Sequence, residues 1–269
     1  MTYDEAADFA EHTAQIRSME EMLAEARVTV DWEHGIVCDI GGGGGLRAAL
    51  LAHRVKRAHC ADIIDQQARY NGEFVKLLFE KLGRHGHHLP IDRFEFNVAD
   101  ATHLFYRDNW FDFVCSVNAF EHIPDPERAL REMTRILRPG AFAYISFDPI
   151  WTADTGSHFQ HRVADPWAHL VLADFEFVAK MREAGADDWE VAEFRNAMNR
   201  VRLPTFERIF QITAGENGLD LILHRSWCGV ANEDHYRHTN FAVALRTYSR
   251  EELTTRGMAA LLRKRAAKS

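Results

Sequence analysis

Five glycines at positions 41–45 follow Asp39 and Ile40, the end of the apolar run IVCDI at 36–40. Glycine lets a backbone approach a ligand closely, and a helix that starts at once aims its free N–H groups at an anion. A flexible linker seldom joins an apolar strand to an amphipathic helix only a few residues away, so this turn reads as a binding loop. Further groups suited to chemistry follow: Asp62, Asp100 before Ala101, the pair Glu121-His122, and His158 inside the segment WTADTGSHFQH. A carboxylate offers two acceptor oxygens to a diol, and a neutral imidazole takes up a proton near neutral pH.

The glycines alone leave the ligand open. Gly43, Gly45 and Ala48 also fit a dinucleotide fingerprint, with Asp62 near the ribose-binding spacing of roughly twenty residues. Asp39 argues the other way, because a carboxylate at a strand tip repels a pyrophosphate and suits an ammonium group. S-adenosylmethionine carries such an ammonium, a carboxylate for the helix N-terminus, and no phosphate.

The elements that must position these groups alternate. The first thirty residues read as helix, with Phe9, Ile16, Met19, Met22 and Leu23 at near-helical spacing. IVCDI, AHCADII, FEFNVAD, FDFVCSV and AFAYISF read as five strands, separated by helical stretches such as LRAALLAHRV and NGEFVKLLFEKL. The helix from Pro126 is the best marked: Asp125 caps it, Leu130, Met133, Ile136 and Leu137 form its buried stripe, and Pro139-Gly140 are expected to stop it. This alternation predicts an α/β fold with a doubly wound, Rossmann-like, mostly parallel sheet, whose ligands bind beyond the carboxyl ends of the strands.

Residues 151–204 interrupt the pattern and read as a helical lid, with Trp167, Leu170, Phe177, Val178 and Met181 on one apolar face. LDLILHRSW gives a sixth strand and GMAALLRKR favours a seventh over a helix. The expected organisation is a helical segment over 1–30, a ligand-binding core over 31–150, the lid, and completion of the sheet over 205–269.

Across 269 residues, 32 Lys and Arg against 40 Asp and Glu give a net charge of −8, which disfavours nucleic acids and anionic membranes as partners. No apolar run reaches the roughly 18 residues that span a bilayer, and the acidic N-terminus is unlike a secretory signal, so a cytoplasmic location is expected. Cys38, Cys60, Cys115 and Cys228 read as reduced, buried thiols.

Taken in order, the motif D-x-G-x-G-x-G at 39–45, Asp62, Asp100-Ala101 and FDFVCSVNAFEHIPDPERALREMTRILRPG at 111–140 resemble class I S-adenosylmethionine-dependent methyltransferases, most closely the group that includes quinone-biosynthesis enzymes. The resemblance is strong over about 30–150 and loose over 205–265. It implies a seven-stranded sheet and a chain that uses S-adenosylmethionine and releases S-adenosylhomocysteine. By resemblance, Gly41, Gly43 and Gly45 wrap the methionine part and Asp39 serves its ammonium, directly or through water. Asp62, with Ile63 beside it, takes the ribose, Asp100 and Ala101 take the adenine, and Asn118 lies near the methionine end. Most relatives place larger residues between the glycines, so the unbroken run is a departure.

Methyl transfer from a sulfonium chiefly requires positioning, and an alcohol acceptor also needs a base. His158 is the favoured candidate, with His122 and Glu121 in the loop after the fourth strand. His161, Asp148 and His169 are alternatives, no metal ligand set is assigned, and a metal held by some of these residues stays open. His85-Gly-His-His88 reads as a solvated loop, and Arg195, Arg200, Arg202 and Arg208 as a solvated face or an anion contact. Trp151, Trp167 and Trp189 either wall an acceptor pocket or pack the lid. The reading favoured is oxygen methylation of a small-molecule hydroxyl, on a sugar or natural product, by a chain free to form a homo-oligomer. Nitrogen methylation, an RNA or protein acceptor, a nicotinamide oxidoreductase and a non-catalytic binding module are the rivals.

Overall fold

The computed structural model describes residues 4–229 and 233–266. Positions 1–3 and 267–269, at the outer ends of the expected first and last segments, lie outside the described residues. The sheet has seven strands: β1 (Ile36–Ile40), β2 (Arg57–Asp62), β3 (Phe94–Val98), β4 (Phe111–Val117), β5 (Leu137–Phe147), β6 (Leu219–Cys228) and β7 (Thr255–Lys264). Their order is β3-β2-β1-β4-β5-β7-β6. The first five pair in parallel, while β7 runs antiparallel to both β5 and β6. The strand order reverses between β1 and β4, and a crevice opens at such a point beyond their carboxyl ends.

Both faces of the parallel strands are covered, so these strands carry near-continuous apolar runs. On one face α1 (Glu5–Glu25), α2 (Leu46–Ala52), a short α3 (Gln66–Arg69) and α4 (Phe74–Arg84) close a core that includes Met19, Met22, Ala48, Leu51 and Leu78. On the other, α5 (Pro126–Ile136) buries Leu130, Met133 and Ile136 against the sheet. Asp125 accepts a hydrogen bond from the Arg128 N–H at 2.9 Å, the cap expected there. Residues 139 and 140 do not punctuate the chain as expected: β5 starts at Leu137 and runs through them. Proline lacks the donor a regular ladder needs and Gly140 has φ +84°, so the pair is absorbed as a bulge, across which the register on β4 jumps from Phe111↔Leu137 to Phe113↔Phe142.

The segment after β5 carries α6 (Ala168–Val171), α7 (Asp174–Glu183) and α8 (Asp188–Asn196). The single amphipathic helix expected around Trp167 is two pieces, α6 and α7. They form a small core of their own around Trp151, Phe159, Phe177, Met181 and Phe194. Beyond α9 (Leu203–Arg208), a π-helical stretch (Ile209–Thr213) and α10 (Ala214–Glu216) lead into β6. A second insertion, absent from the expected organisation, separates β6 from β7 and holds α11 (Glu233–Arg237), α12 (Thr239–Ala244) and α13 (Arg250–Thr254). Trp167 ties the two insertions together. It is fully buried against Phe241, Ala244 and Leu253, and its indole N–H donates to the Leu253 carbonyl at 3.2 Å.

Cys38, Cys60 and Cys115 are buried free thiols, but Cys228, at the end of β6, is exposed. Trp189 is 63% exposed, whereas Trp151 and Trp167 pack the insertions. The His85 loop is structured: His85 stacks on Phe9 with ring centres 3.9 Å apart and bonds Glu5 at 3.0 Å, clamping α1 to the end of α4. Removing the shared wedge in Trp167→Ala should cost about 3 kcal/mol or more by urea unfolding, and a loss below about 1 kcal/mol would show that the insertions do not depend on it.

Candidate active site

Glycines 41–45 lie at the crevice between β1 and β4, and two of them explain why no larger residue fits. A Cβ on Gly41, which has φ +68°, would sit 2.4 Å from the Ala119 Cβ in the loop after β4. One on Gly42 would meet the Cys60 sulfur at 2.5 Å and Asp39 Oδ2 at 2.7 Å. Gly43 and Gly44 have nothing within 4 Å of that position, so the far side of the turn is open. Glycine backbone packs the turn on the protein below and leaves it accessible above.

Asp62 ends β2 and braces this loop. Its Oδ2 accepts from the Gly43 N–H at 2.7 Å and its Oδ1 from the Ile64 N–H at 2.9 Å. Each carboxylate oxygen keeps a second lone pair, so the group can still accept from a diol. Ile63 beside it is 71% exposed, an apolar surface at the strand tip available for an aromatic ring. Neighbouring β3 ends near Asp100, which is exposed and whose Oδ1 accepts from the Thr102 N–H and hydroxyl, both at 2.8 Å. Asn118 follows β4 with φ +52°, a conformation asparagine tolerates, is exposed, and donates its N–H to the Ser146 carbonyl at 2.8 Å.

Asp39 belongs to β1, just before the turn. It is buried beneath the loop, with Oδ1 accepting from Arg47 Nη2 at 2.8 Å and from the Cys115 thiol at 3.6 Å. Oδ2 has no partner and faces the underside of Gly42. Arg47, in the first turn of α2, is also buried and donates to Gln15 of α1 at 2.7 Å. Burial works against the Arg47 charge, and the Asp39 carboxylate more than offsets it, holding the guanidinium above its ordinary pKa. Asp39 therefore neutralises Arg47 through Oδ1 and supports the loop from below. Sequence reading missed Arg47, although an arginine inside the apolar run LRAALLA was its visible signal.

The second group of candidates meets at the end of β4. Glu121 is buried with neither carboxylate oxygen bonded, and burial, with the nearby Asp148 charge adding to it, pushes its pKa up to about 8. His122 bonds the Ala197 carbonyl through Nδ1 at 3.0 Å, so its Nε2 faces Glu121 Oε1 at 3.8 Å. His158 arrives from the insertion. Its approach is fixed by a turn at Gly156, where a Cβ would lie 2.1 Å from the Trp151 carbonyl oxygen, and His158 itself takes the rare φ of +64°. Its ring lies 5.1 Å from that of His122, and burial followed by the His122 charge lowers its pKa to about 4. Asn199 locks the loop by bonding the Phe120 and Ile123 carbonyls at 2.6 and 2.8 Å, while its own N–H donates to the Glu121 carbonyl. Nothing in the sequence links Asn199 to a loop about eighty residues away.

The alternative bases are engaged elsewhere. His161 bonds Glu190 at 3.0 Å, His169 is buried on the Trp151 carbonyl at 2.7 Å, and Asp148 accepts from Arg256 and the Trp227 indole, both at 2.7 Å. Arg200, Arg202 and Arg208 are paired with Asp174, Glu252 and Glu127, so they form no free anion contact; Arg195 is exposed. The Asp39–Arg47 pair gives the prediction here. Arg47→Met should lower stability by about 3–5 kcal/mol in urea unfolding, because it strands a buried carboxylate, and adding Asp39→Asn should recover much of the loss. A single variant as stable as the wild type would show that the pair is not buried in solution.

No helix among the described residues is long and apolar enough to cross a membrane. The family description "Methyltransferase domain" matches residues 38–145, which contain the glycine turn, Asp62, Asp100 and Glu121-His122. Methyltransferase GfsG of Streptomyces halstedii is 28% identical over 211 residues, which cover 75% of this chain and 70% of that protein. The malonyl-[acyl-carrier protein] O-methyltransferase of Geobacter sulfurreducens is 30% identical over 145 residues, 53% of this chain but only 49% of its own length. Among solved structures, geranyl diphosphate C-methyltransferase from Streptomyces coelicolor, determined with S-adenosyl-L-homocysteine, superposes with a TM-score of 0.53 at 11% identity, covering 94% of this chain and 76% of that one. The names span oxygen and carbon acceptors, and the structural likeness shows the fold. Seven-stranded topology, motif order and the domain match together identify the core of this chain as a class I S-adenosylmethionine-dependent methyltransferase domain.

Proposed function

We propose that this methyltransferase acts on a hydroxyl oxygen of a small molecule, such as a sugar or another natural product, held between the β4 loop and the insertion over 151–204. The observation that carries the proposal is the meeting of His122, His158 and Glu121, whose proton-accepting atoms lie within 4.8 Å of one another beside the loop that Gly41 touches. An alcohol oxygen must lose its proton as it gains a methyl group, whereas a cluster of this kind gives little to an acceptor that carries no removable proton.

In this reading Asp62 and Ile63 hold the adenosyl ribose, Asp100 and the Ala101 backbone hold the adenine, and glycines 41, 43 and 45 with Asn118 border the methionine end. The cofactor supplies an electrophilic methyl group on a positively charged sulfur. The chain's residues align the acceptor with it. His158 Nε2, a buried nitrogen with no partner, receives the acceptor's hydroxyl proton, and Glu121 lies beside it in the same cluster. His122 is held by the Ala197 carbonyl and fixes the edge of the cluster. The insertion contributes His158 and keeps water from the reacting atoms. The charge of −8 supports a small-molecule acceptor over RNA.

Asp62→Ala should weaken binding of S-adenosylhomocysteine by about tenfold or more, roughly 1.4 kcal/mol, in calorimetric titration, and unchanged binding would remove Asp62 from the ribose site. His158→Ala should lower turnover on an alcohol acceptor by about a hundredfold or more while cofactor binding stays within a few fold. Wild-type turnover in that variant would exclude His158 as the base.

A further inference from the structure

Among the described residues, Glu121, His122 and His158 form a set of three donors of the types that hold metal ions, with one atom from each lying within 4.8 Å of the others. What distinguishes this set from an ordinary hydrogen-bonded cluster is where its hydrogens are. His122 Nδ1 bonds the Ala197 carbonyl at 3.0 Å, and a carbonyl can only accept, so Nδ1 carries the hydrogen and neutral His122 leaves a lone pair on Nε2. His158 follows the same logic. Its ring bonds the Pro149 backbone, which has only a carbonyl to offer, and Nε2 has no partner, so the donor is Nδ1 and the lone pair is on Nε2. Glu121 is buried and neither of its oxygens has a donor. Two imidazole lone pairs and a buried carboxyl group with no protein partner therefore converge, and such a group of unbonded polar atoms is stabilised when a cation joins them.

We infer that Glu121 and the two Nε2 atoms of His122 and His158 form a binding site for one divalent transition-metal ion of the zinc class. Two imidazoles and one carboxylate are a ligand set this class favours, and backbone carbonyls on both Nδ1 hydrogens already fix each ring in the tautomer and orientation ligation needs. Hard ions such as magnesium prefer sets made of oxygen. Ligand atoms about 2.1 Å from a tetrahedral ion lie about 3.4 Å apart, so no pair here has to close by more than about 1.4 Å on binding. His122, on the half-exposed side of the cluster, has room to make that shift. Three protein ligands leave coordination positions open, so the ion's further ligands would be water or an oxygen of the acceptor. Asn199, through the Phe120, Glu121 and Ile123 carbonyls, acts as a positioning residue for two of the three ligands. The inference stands on these lone pairs and does not require the methyl-transfer reading; with an ion on His158 Nε2 that lone pair would no longer take the acceptor's proton, and the ion would instead promote its loss by lowering the pKa of a bound hydroxyl.

The test uses the full chain, stripped with a chelator and titrated with cobalt(II), whose visible d–d absorption reports nitrogen and oxygen ligation directly. One equivalent per chain should produce the band, added zinc should displace it, and the metal should raise Tm. Glu121→Gln and His158→Ala should each weaken cobalt binding by about tenfold or more. His122→Ala, at the most exposed of the three positions, should do the same and guards against variants that fail to fold. Folding is checked independently by S-adenosylhomocysteine binding. Asp62→Ala should keep the cobalt band while losing cofactor affinity, which separates failure of the metal site from failure of the cofactor assignment. Absence of a band in the wild type, or equal cobalt affinity in folded ligand variants, would overturn the inference.

Discussion

The site depends on a close approach of two backbones. Where β1 and β4 end side by side, the turn after one presses on the loop after the other, and the missing Cβ of Gly41 is the space in which Ala119 sits. That contact sets the glycine turn beside the loop that carries Asn118, with Glu121 and His122 immediately beyond it. The reversal of strand order at this point supplies the crevice, so the residues proposed for binding and for chemistry share one edge of the sheet. A bulkier residue at 41 would have to separate the two strand ends or distort the turn.

Support for this edge comes from below and from the side. Below, a buried aspartate and arginine close a circuit from β1 through α2 to Gln15 of α1, joining the N-terminal helix to the glycine turn. Such a pair is expensive to desolvate, and its value lies in fixing geometry where neither partner can be lost alone. At the side, the insertion reaches back through Ala197 and Asn199 to grip the β4 loop. The insertion carries its own apolar core and is wedged to the second insertion by Trp167, so His158 is delivered by a packed body and not by a free loop.

The sheet was readable in the sequence because parallel strands buried on both faces are written as short apolar runs, and the Asp125-Pro126 cap marks α5 without ambiguity. The final strand was readable for the same reason. Pro139-Gly140 misled because the same residues that end a helix also make a bulge, and only pairing with β4 distinguishes the two. The insertion between β6 and β7 was hidden because its short helices carry few apolar residues each and are held by Trp167 from elsewhere in the chain. At the site, the glycines, Asp62 and the Glu121-His122 pair were visible from type and spacing. Arg47's grip on Asp39 and Asn199's hold on the β4 loop were not, since both depend on contacts between distant residues. Histidines 161 and 169 are alternatives to His158 in the sequence, and their engagement with Glu190 and the Trp151 carbonyl, visible only in the fold, sets them apart.

The most direct measurement is amide hydrogen exchange of the wild-type chain with and without saturating S-adenosylhomocysteine. A ligand seated at the tips of β1 and β2 should slow exchange at residues 41–45 and 62–64 and leave the far end of the sheet, around β6, unchanged. Equal exchange at the glycine turn in the two states, despite proven binding, would place the cofactor elsewhere and contradict the account.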